Sequence, residues 1–114
     1  MSQGALGQVT PPDDGPAGTI TTDLDAGEIT LRGEIDAALE AALVTVLSDV
    51  AARRAAPQLR VDVREVSFID STGIKFLALL TQRSAHPVVL LHPSSQVRFV
   101  LDTTRISEIL TIVD

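Results

Sequence analysis

The run from Leu59 to Leu80 constrains the fold most, because its hydrophobic period changes partway along. Leu59 to Val63 alternates apolar with charged residues and is rich in β-branched side chains, which reads as a strand. Phe68-Ile69 is a second apolar pair, expected to carry the chain back to the core. The polar cluster Asp70-Ser71-Thr72-Gly73 then breaks the pattern, and Ile74 to Leu80 resumes it at helical density. Asp, Ser and Thr begin helices because a side-chain oxygen can accept from a backbone N–H that the first turn leaves unpaired. The stretch therefore predicts strand, polar turn and helix, with Ser71 at or beside the N-cap. A helix start also offers free N–H groups and the positive end of the helix dipole, which suit a phosphate. A serine hydroxyl there is a place to put or remove a phosphoryl group.

The same alternation extends to both sides. Thr19 to Leu24 and Glu28 to Arg32 are short alternating segments around Asp25-Ala26-Gly27, a hairpin signal. Gly33-Glu34-Ile35-Asp36 closes the second strand and opens a helix, along which Leu39, Ala42, Leu43, Val46, Leu47 and Val50 form one apolar stripe. Asp36 suits the cap of that helix, while Arg53 and Arg54 suit its C-terminal end. Pro87 to Leu91 reads as a buried strand, and Pro93-Ser94-Ser95 as the start of a helix with Val97, Val100 and Leu101 inward. Ile106 to Val113 supplies a last short helix or strand. Strands alternating with helices imply βαβ crossovers, hence an α/β fold with a mixed sheet of four to five strands and helices packed on it. Residues 1–18, rich in Gly, Pro, Gln and Asp, are expected to form a flexible tail, leaving 19–114 as one domain.

Composition narrows the function classes. A net charge of −6 argues against nucleic acid and anionic membranes, which select basic surfaces. No apolar run approaches the ~18 residues of a membrane span. The N-terminus lacks the basic start and apolar block of a secretory signal, so a cytoplasmic location is expected. Without cysteine the chain has no disulfides, zinc thiolates or thiol redox chemistry. Asp70-Ser71-Thr72-Gly73 is superficially similar to the Asp-Thr/Ser-Gly of aspartic proteases, but those need two aspartates sharing a proton in an essentially β-rich fold. His86 and His92 each precede a proline and read as loop residues, which leaves Ser71 without a base. There is no Gly-x-Ser-x-Gly, no phosphate-binding Gly-x-x-x-x-Gly-Lys-Ser/Thr, and no zinc or calcium ligand spacing. A protein without catalytic activity, cofactor or metal is the expectation.

In an open α/β sheet, functional residues gather on loops at the carboxyl ends of strands. If the second and third strands are neighbours, Glu34, Asp36, Asp70 and Ser71 form one acidic, hydroxyl-bearing rim. Asp36, Asp70 and Ser71 can each be read simply as helix caps. Capping needs only one such residue per helix, so the four-residue polar cluster leans towards function. The helix from Ile74 through Phe76, Leu77, Ala78, Leu79 and Leu80 has almost no polar face. Such a helix is either buried all round or lends its outer side to a partner. Lys75, the sole lysine, sits in its first turn, placed to lie beside the phosphosite or pair with a partner's acid.

These residues carry a resemblance. Gly33-Glu34-Ile35-Asp36, then Val61-Asp62-Val63, then Phe68-Ile69-Asp70-Ser71-Thr72-Gly73 and an apolar helix resemble the STAS domain of bacterial anti-sigma factor antagonists. Val88 to Leu91, Pro93-Ser94 and Val97 to Leu101 fit that family's final strand and helix, so the similarity spans Thr19 to Asp114. It implies a STAS-like fold, a phosphoacceptor at Ser71 and a partner surface of Glu34, Asp36, Asp70, Ser71, Thr72, Gly73, Lys75 and Phe76. It further implies partner switching that regulates sigma-factor-dependent transcription. The unphosphorylated protein, a monomer when free, would bind an anti-sigma factor that is also a serine kinase. Phosphorylation would release it, and a PP2C-type phosphatase would reset it. The alternative is a STAS adaptor held permanently in a stress-sensing complex or a lipid-transport ABC system, which has no need of the Ser71 hydroxyl. Two departures from the family stand out: the segment Thr81 to His86 is short, and Thr103-Thr104-Arg105 replaces a Thr-Gly pair.

Overall fold

The computed structural model of the protein describes residues 17–53 and 57–114. Strands β1 (Thr19–Asp23) and β2 (Glu28–Ile35) form the antiparallel hairpin, with Thr19 opposite Arg32 and Asp23 opposite Glu28. The turn closes through Ala26 N–H to the Asp23 carbonyl (3.1 Å) and Gly27 N–H to the Leu24 carbonyl (3.2 Å). Gly27 sits at φ +74°, a conformation that any side chain would strain. Three parallel strands follow: β3 (Arg60–Ile69) on β2, β4 (Val89–Leu91) on β3, and β5 (Thr111–Val113) on β4. Helices α1 (Glu40–Ala51), α2 (Ser71–Arg83) and α3 (Ser95–Thr103) fill the crossovers. A 3₁₀ turn, Ala37–Leu39, leads into α1, and another, Ile106–Ile109, follows α3.

Strand order in the sheet equals strand order in the chain. Each parallel crossover therefore steps in the same direction, and the right-handed rule puts all three helices on one face. Burial agrees. Ile29, Leu31 and Ile35 of β2 and Val61, Val63, Val66 and Ile69 of β3 point into one core with Leu43, Leu47 and Val50 of α1, Phe76, Leu77 and Leu80 of α2, and Val97 and Leu101 of α3. The alternate positions of β2 face away, and on that open side Arg32 pairs with Glu65 and Arg60 with Glu28, both at 3.3 Å. Half-exposed pairs of this kind contribute little to stability. Specificity for the fold rests on the one-sided apolar pattern instead.

Several expectations change in detail. The third strand is one element of 10 residues, not two apolar patches. Its register slips against β2 between Thr30 and Arg32 and again between Gly33 and Glu34, so Arg64-Glu65 and Ser67-Phe68 both stay outside while Val66 turns in. Adjacent strand residues face opposite sides, so only Ile69 of the pair Phe68-Ile69 enters the core, and Phe68 is 45% exposed. The C-terminal segment forms both the 3₁₀ turn and β5. Helix α2 runs on to Arg83, so the first half of the short segment Thr81 to His86 is helical and the rest is loop. Arg105 takes the left-handed conformation (φ +66°) beyond α3, where glycine is the usual residue. Arg53 reaches across to Asp25 (2.6 Å) instead of the helix carbonyls. Arg54 and residues 1–16 of the expected tail lie outside the described residues, while Ala17 pairs with Glu34. Among the described residues, no helix is long and apolar enough to cross a membrane.

Candidate functional site

The site grows from the ends of β2 and β3. Ile35 and Ile69 are register partners, and the Asp70 N–H donates to the Ile35 carbonyl at 3.2 Å. The turns that follow these strands therefore lie side by side at the carboxyl edge of the sheet, as expected for neighbouring strands. Each begins with an aspartate in extended backbone at an N-cap. Asp36 Oδ1 accepts from the Ala38 N–H at 3.1 Å, and Asp70 Oδ1 accepts from the Thr72 N–H at 2.8 Å. With Asp70 as cap, Ser71 is the first residue of α2, and it is exposed. Its hydroxyl makes no hydrogen bond to a described residue.

Gly73 explains how the helix can start so close to the core. A Cβ there would stand 2.5 Å from Ile69 Cγ1 and 2.9 Å from Ile35 Cγ2, well inside contact distance. Without a side chain, the first turn of α2 rests directly on the two isoleucines that end the strands. That contact fixes the position of Ser71 relative to the rim.

Helices α1 and α2 both leave this edge and pack side by side. Glu40, Leu43, Val44 and Leu47 of α1 face Ser71, Thr72, Lys75, Phe76 and Leu79 of α2 across a groove of about 470 Å³. Ser71, Lys75 and Leu79 recur at intervals of four, so they share one face of α2. The serine hydroxyl thus stands in the wall of an apolar groove.

The anticipated partner residues divide accordingly. Asp36, Asp70, Ser71 and Thr72 come together at the rim, and Lys75 is exposed in the groove wall. Glu34 is half-buried opposite Phe68, on the open face and bridged to Ala17. Two of the anticipated residues are buried. Phe76 is 2% exposed and forms the groove floor, because its position on α2 points at the sheet. Gly73 is buried under the close approach just described, where it seats the first turn of α2. Most of the outer side of α2 is likewise covered, with Ile74, Ala78 and Leu79 half-buried. Sequence reading missed Val44, which is 53% exposed in the groove, and the outward Phe68. The signal for Val44 was present: it is an apolar residue lying off the apolar stripe of α1.

Comparison with known proteins agrees with this architecture. The family model described as "Mlab, STAS domain" matches residues 19–113. Among solved structures, the anti-sigma factor antagonist SpoIIAA in its unphosphorylated form is similar at 20% identity and TM-score 0.66, covering 86% of this chain and 89% of that one. An anti-sigma factor antagonist from Mycobacterium paratuberculosis is similar at 22% identity and TM-score 0.64, covering 91% and 89%. The Bacillus cell fate determinant SpoIIAA in its phosphorylated form is similar at 18% identity and TM-score 0.61, covering 86% and 92%. No curated protein matches the chain significantly. With the family match running from the first strand to the last, the chain belongs to the STAS domain family.

Proposed function

We propose that the protein is an anti-sigma factor antagonist that binds an anti-sigma factor with serine kinase activity and is released by phosphorylation of Ser71. The observation that carries this reading is the exposed Ser71 hydroxyl at the first position of α2, unspent on capping because Asp70 does that work. Its fold is similar to that of SpoIIAA in both the unphosphorylated and the phosphorylated form. A permanent STAS adaptor has no use for an uncommitted hydroxyl in this position.

In the transfer step, Ser71 Oγ forms the new P–O bond to the γ-phosphoryl group of ATP held by the kinase. The bond from that phosphorus to the β-γ bridging oxygen breaks, ADP leaves, and the hydroxyl proton passes to a base of the kinase. The product adds about −1.5 to −2 charge at pH 7. The α2 dipole and first-turn N–H groups stabilise part of that charge, so the fold persists. Between Asp36 and Asp70 the rim becomes strongly anionic, and a partner still holding nucleotide phosphates against it is repelled. A loss of ~3 kcal/mol lowers affinity by about two orders of magnitude. A PP2C-type phosphatase, acting on the exposed ester, restores the binding form. The protein itself catalyses nothing and needs no cofactor. On this reading it is cytoplasmic and monomeric when free.

Incubation with purified anti-sigma serine kinases and ATP, followed by mass-spectrometric mapping, tests the assignment. Phosphate is expected on Ser71 and lost in Ser71→Ala, which still binds the kinase. Labelling that persists in Ser71→Ala rejects it.

A further inference from the structure

We infer that Lys75 is a built-in counter-ion for the phosphate on Ser71, placed one helical turn away so that the phosphate stays doubly charged near neutral pH. This role rests on the phospho-switch proposed above, which does not itself require it. Three observations carry it. First, Ser71 and Lys75 are four residues apart on α2 and line the same wall of the groove. At that spacing the Cβ atoms stand about 6 Å apart, and an acid preceding a base by four is the favourable order. Helical side chains lean towards the N-terminus, so the lysine stem slants towards the turn that carries Ser71. Second, Lys75 is exposed and makes no ion pair among the described residues. Arg32, Arg53, Arg60, Arg98 and Arg105 each hold a carboxylate. Arg83, at the far end of α2, and Arg64, midway along β3, are also unpaired but stand away from the rim. Third, α2 offers Lys75 no acid, because the positions three and four residues away are Ser71, Thr72, Ala78 and Leu79. A phosphate on Ser71 creates the partner that the unmodified helix lacks.

The surroundings of the phosphate explain why it needs a cation. A phosphoserine ordinarily sheds its second proton at about pH 6. Nearby carboxylates hold that proton on, whereas cations and N–H donors drive it off. Asp70 directly precedes the serine, Asp36 caps the adjoining turn, and Glu40 of α1 lines the groove opposite. All three oppose the second ionisation. The first-turn N–H groups of α2 favour it, but Asp70 already takes that of Thr72. The sheet beneath α2 adds no charge to the interior, since no buried side chain is polar. The 3₁₀ turn Ile106–Ile109 also packs on α2, yet it leads into β5 and so lies at the opposite edge, with Arg105 and Glu108 spent on each other at 3.1 Å. Among the described residues, Lys75 is thus the cation placed to offset the rim. By doing so it preserves the full charge on which release depends.

The test encodes phosphoserine at position 71 of the full chain during translation, so it needs no kinase, and follows the phosphorus NMR shift through a pH titration. Lys75→Gln is expected to raise the midpoint of the second ionisation by about 0.4 pH unit, the size of a helical ion pair at this spacing. Lys75→Arg keeps the charge and is expected to stay within about 0.1 unit of the parent, as is Arg83→Gln, more than a screening length away. Without the phosphate, Lys75→Gln is expected to melt with the parent, because the lysine holds nothing there. A midpoint unmoved by Lys75→Gln overturns the counter-ion and leaves the switch standing, since kinase labelling of Ser71 judges that separately. An equal rise in Arg83→Gln overturns it too, because overall charge is then the cause. So does a rise in Lys75→Arg as large as in Lys75→Gln. The expected rise in a protein that no anti-sigma kinase labels at Ser71 upholds the ion pair and rejects the switch.

Discussion

The turns after β2 and β3 are near copies in local structure, yet only one presents a free hydroxyl at the start of its helix. Both place an aspartate at the N-cap with its carboxylate on the N–H two residues ahead, at 3.1 Å for Asp36 and 2.8 Å for Asp70. After Asp36 come two exposed alanines and a 3₁₀ turn before α1 begins at Glu40. After Asp70, α2 starts at once with Ser71, and Gly73 seats its first turn on Ile35 and Ile69. The first turn is exposed at Ala37 and Ala38 and has no hydroxyl in its opening positions. The second is clamped to the core and presents one. A capping aspartate alone is therefore structural, and what sets the second turn apart is the adjoining hydroxyl together with the glycine that fixes its place.

The largest stability difference between the turns is expected at the glycine. Gly73→Val forces a branched side chain against two isoleucines and should cost about 3 kcal/mol or more, whereas Ala38→Val, at an exposed position of the turn after Asp36, should stay within about 0.5 kcal/mol. Urea unfolding of the two variants measures the gap, and equal midpoints would remove the clamp from the comparison. Next comes the caps. Asp70→Ala should cost about 1–2 kcal/mol and Asp36→Ala about 0.5–1 kcal/mol, because α2 extends directly from its cap while the other cap supports only a short 3₁₀ turn. At roughly 4–8 °C per kcal/mol, thermal melts resolve this order. The smallest structural effect is expected from Ala37→Ser, which transplants a hydroxyl to the equivalent position of the other turn. The double variant Ala37→Ser, Ser71→Ala should melt like Ser71→Ala and take no phosphate, and labelling at position 37 would mean that the clamp is dispensable.

Much of this was legible in the residues. Asp36, Asp70 and Ser94 were recognisable as caps because their hydrogen bonds are local, and the stripe from Leu43 to Val50 declared its buried side through period alone. Phe68 was not, since its outward direction depends on the pairing of β3 with β2 and on register slips fixed by the partner strand. The burial of Phe76 was hidden for a related reason. A helix apolar on every side does not reveal which side meets the sheet until its start is anchored, and Gly73 supplies that anchor. The groove was invisible because it belongs to two helices separated by a strand, and no period within either one records the gap between them. Arg105 at φ +66° shows the opposite case, a turn kept in shape without the glycine that normally marks it.

The claim at the centre is that charge on one side chain controls docking while the fold stands still. Its most direct measurement is the affinity of the anti-sigma kinase for the protein before and after stoichiometric phosphorylation of Ser71, taken alongside the melting temperature of both forms. The account predicts about a hundredfold weaker binding for the phosphorylated form with melting temperatures within about 2 °C. Equal affinities, or a loss of binding matched by unfolding, would contradict it.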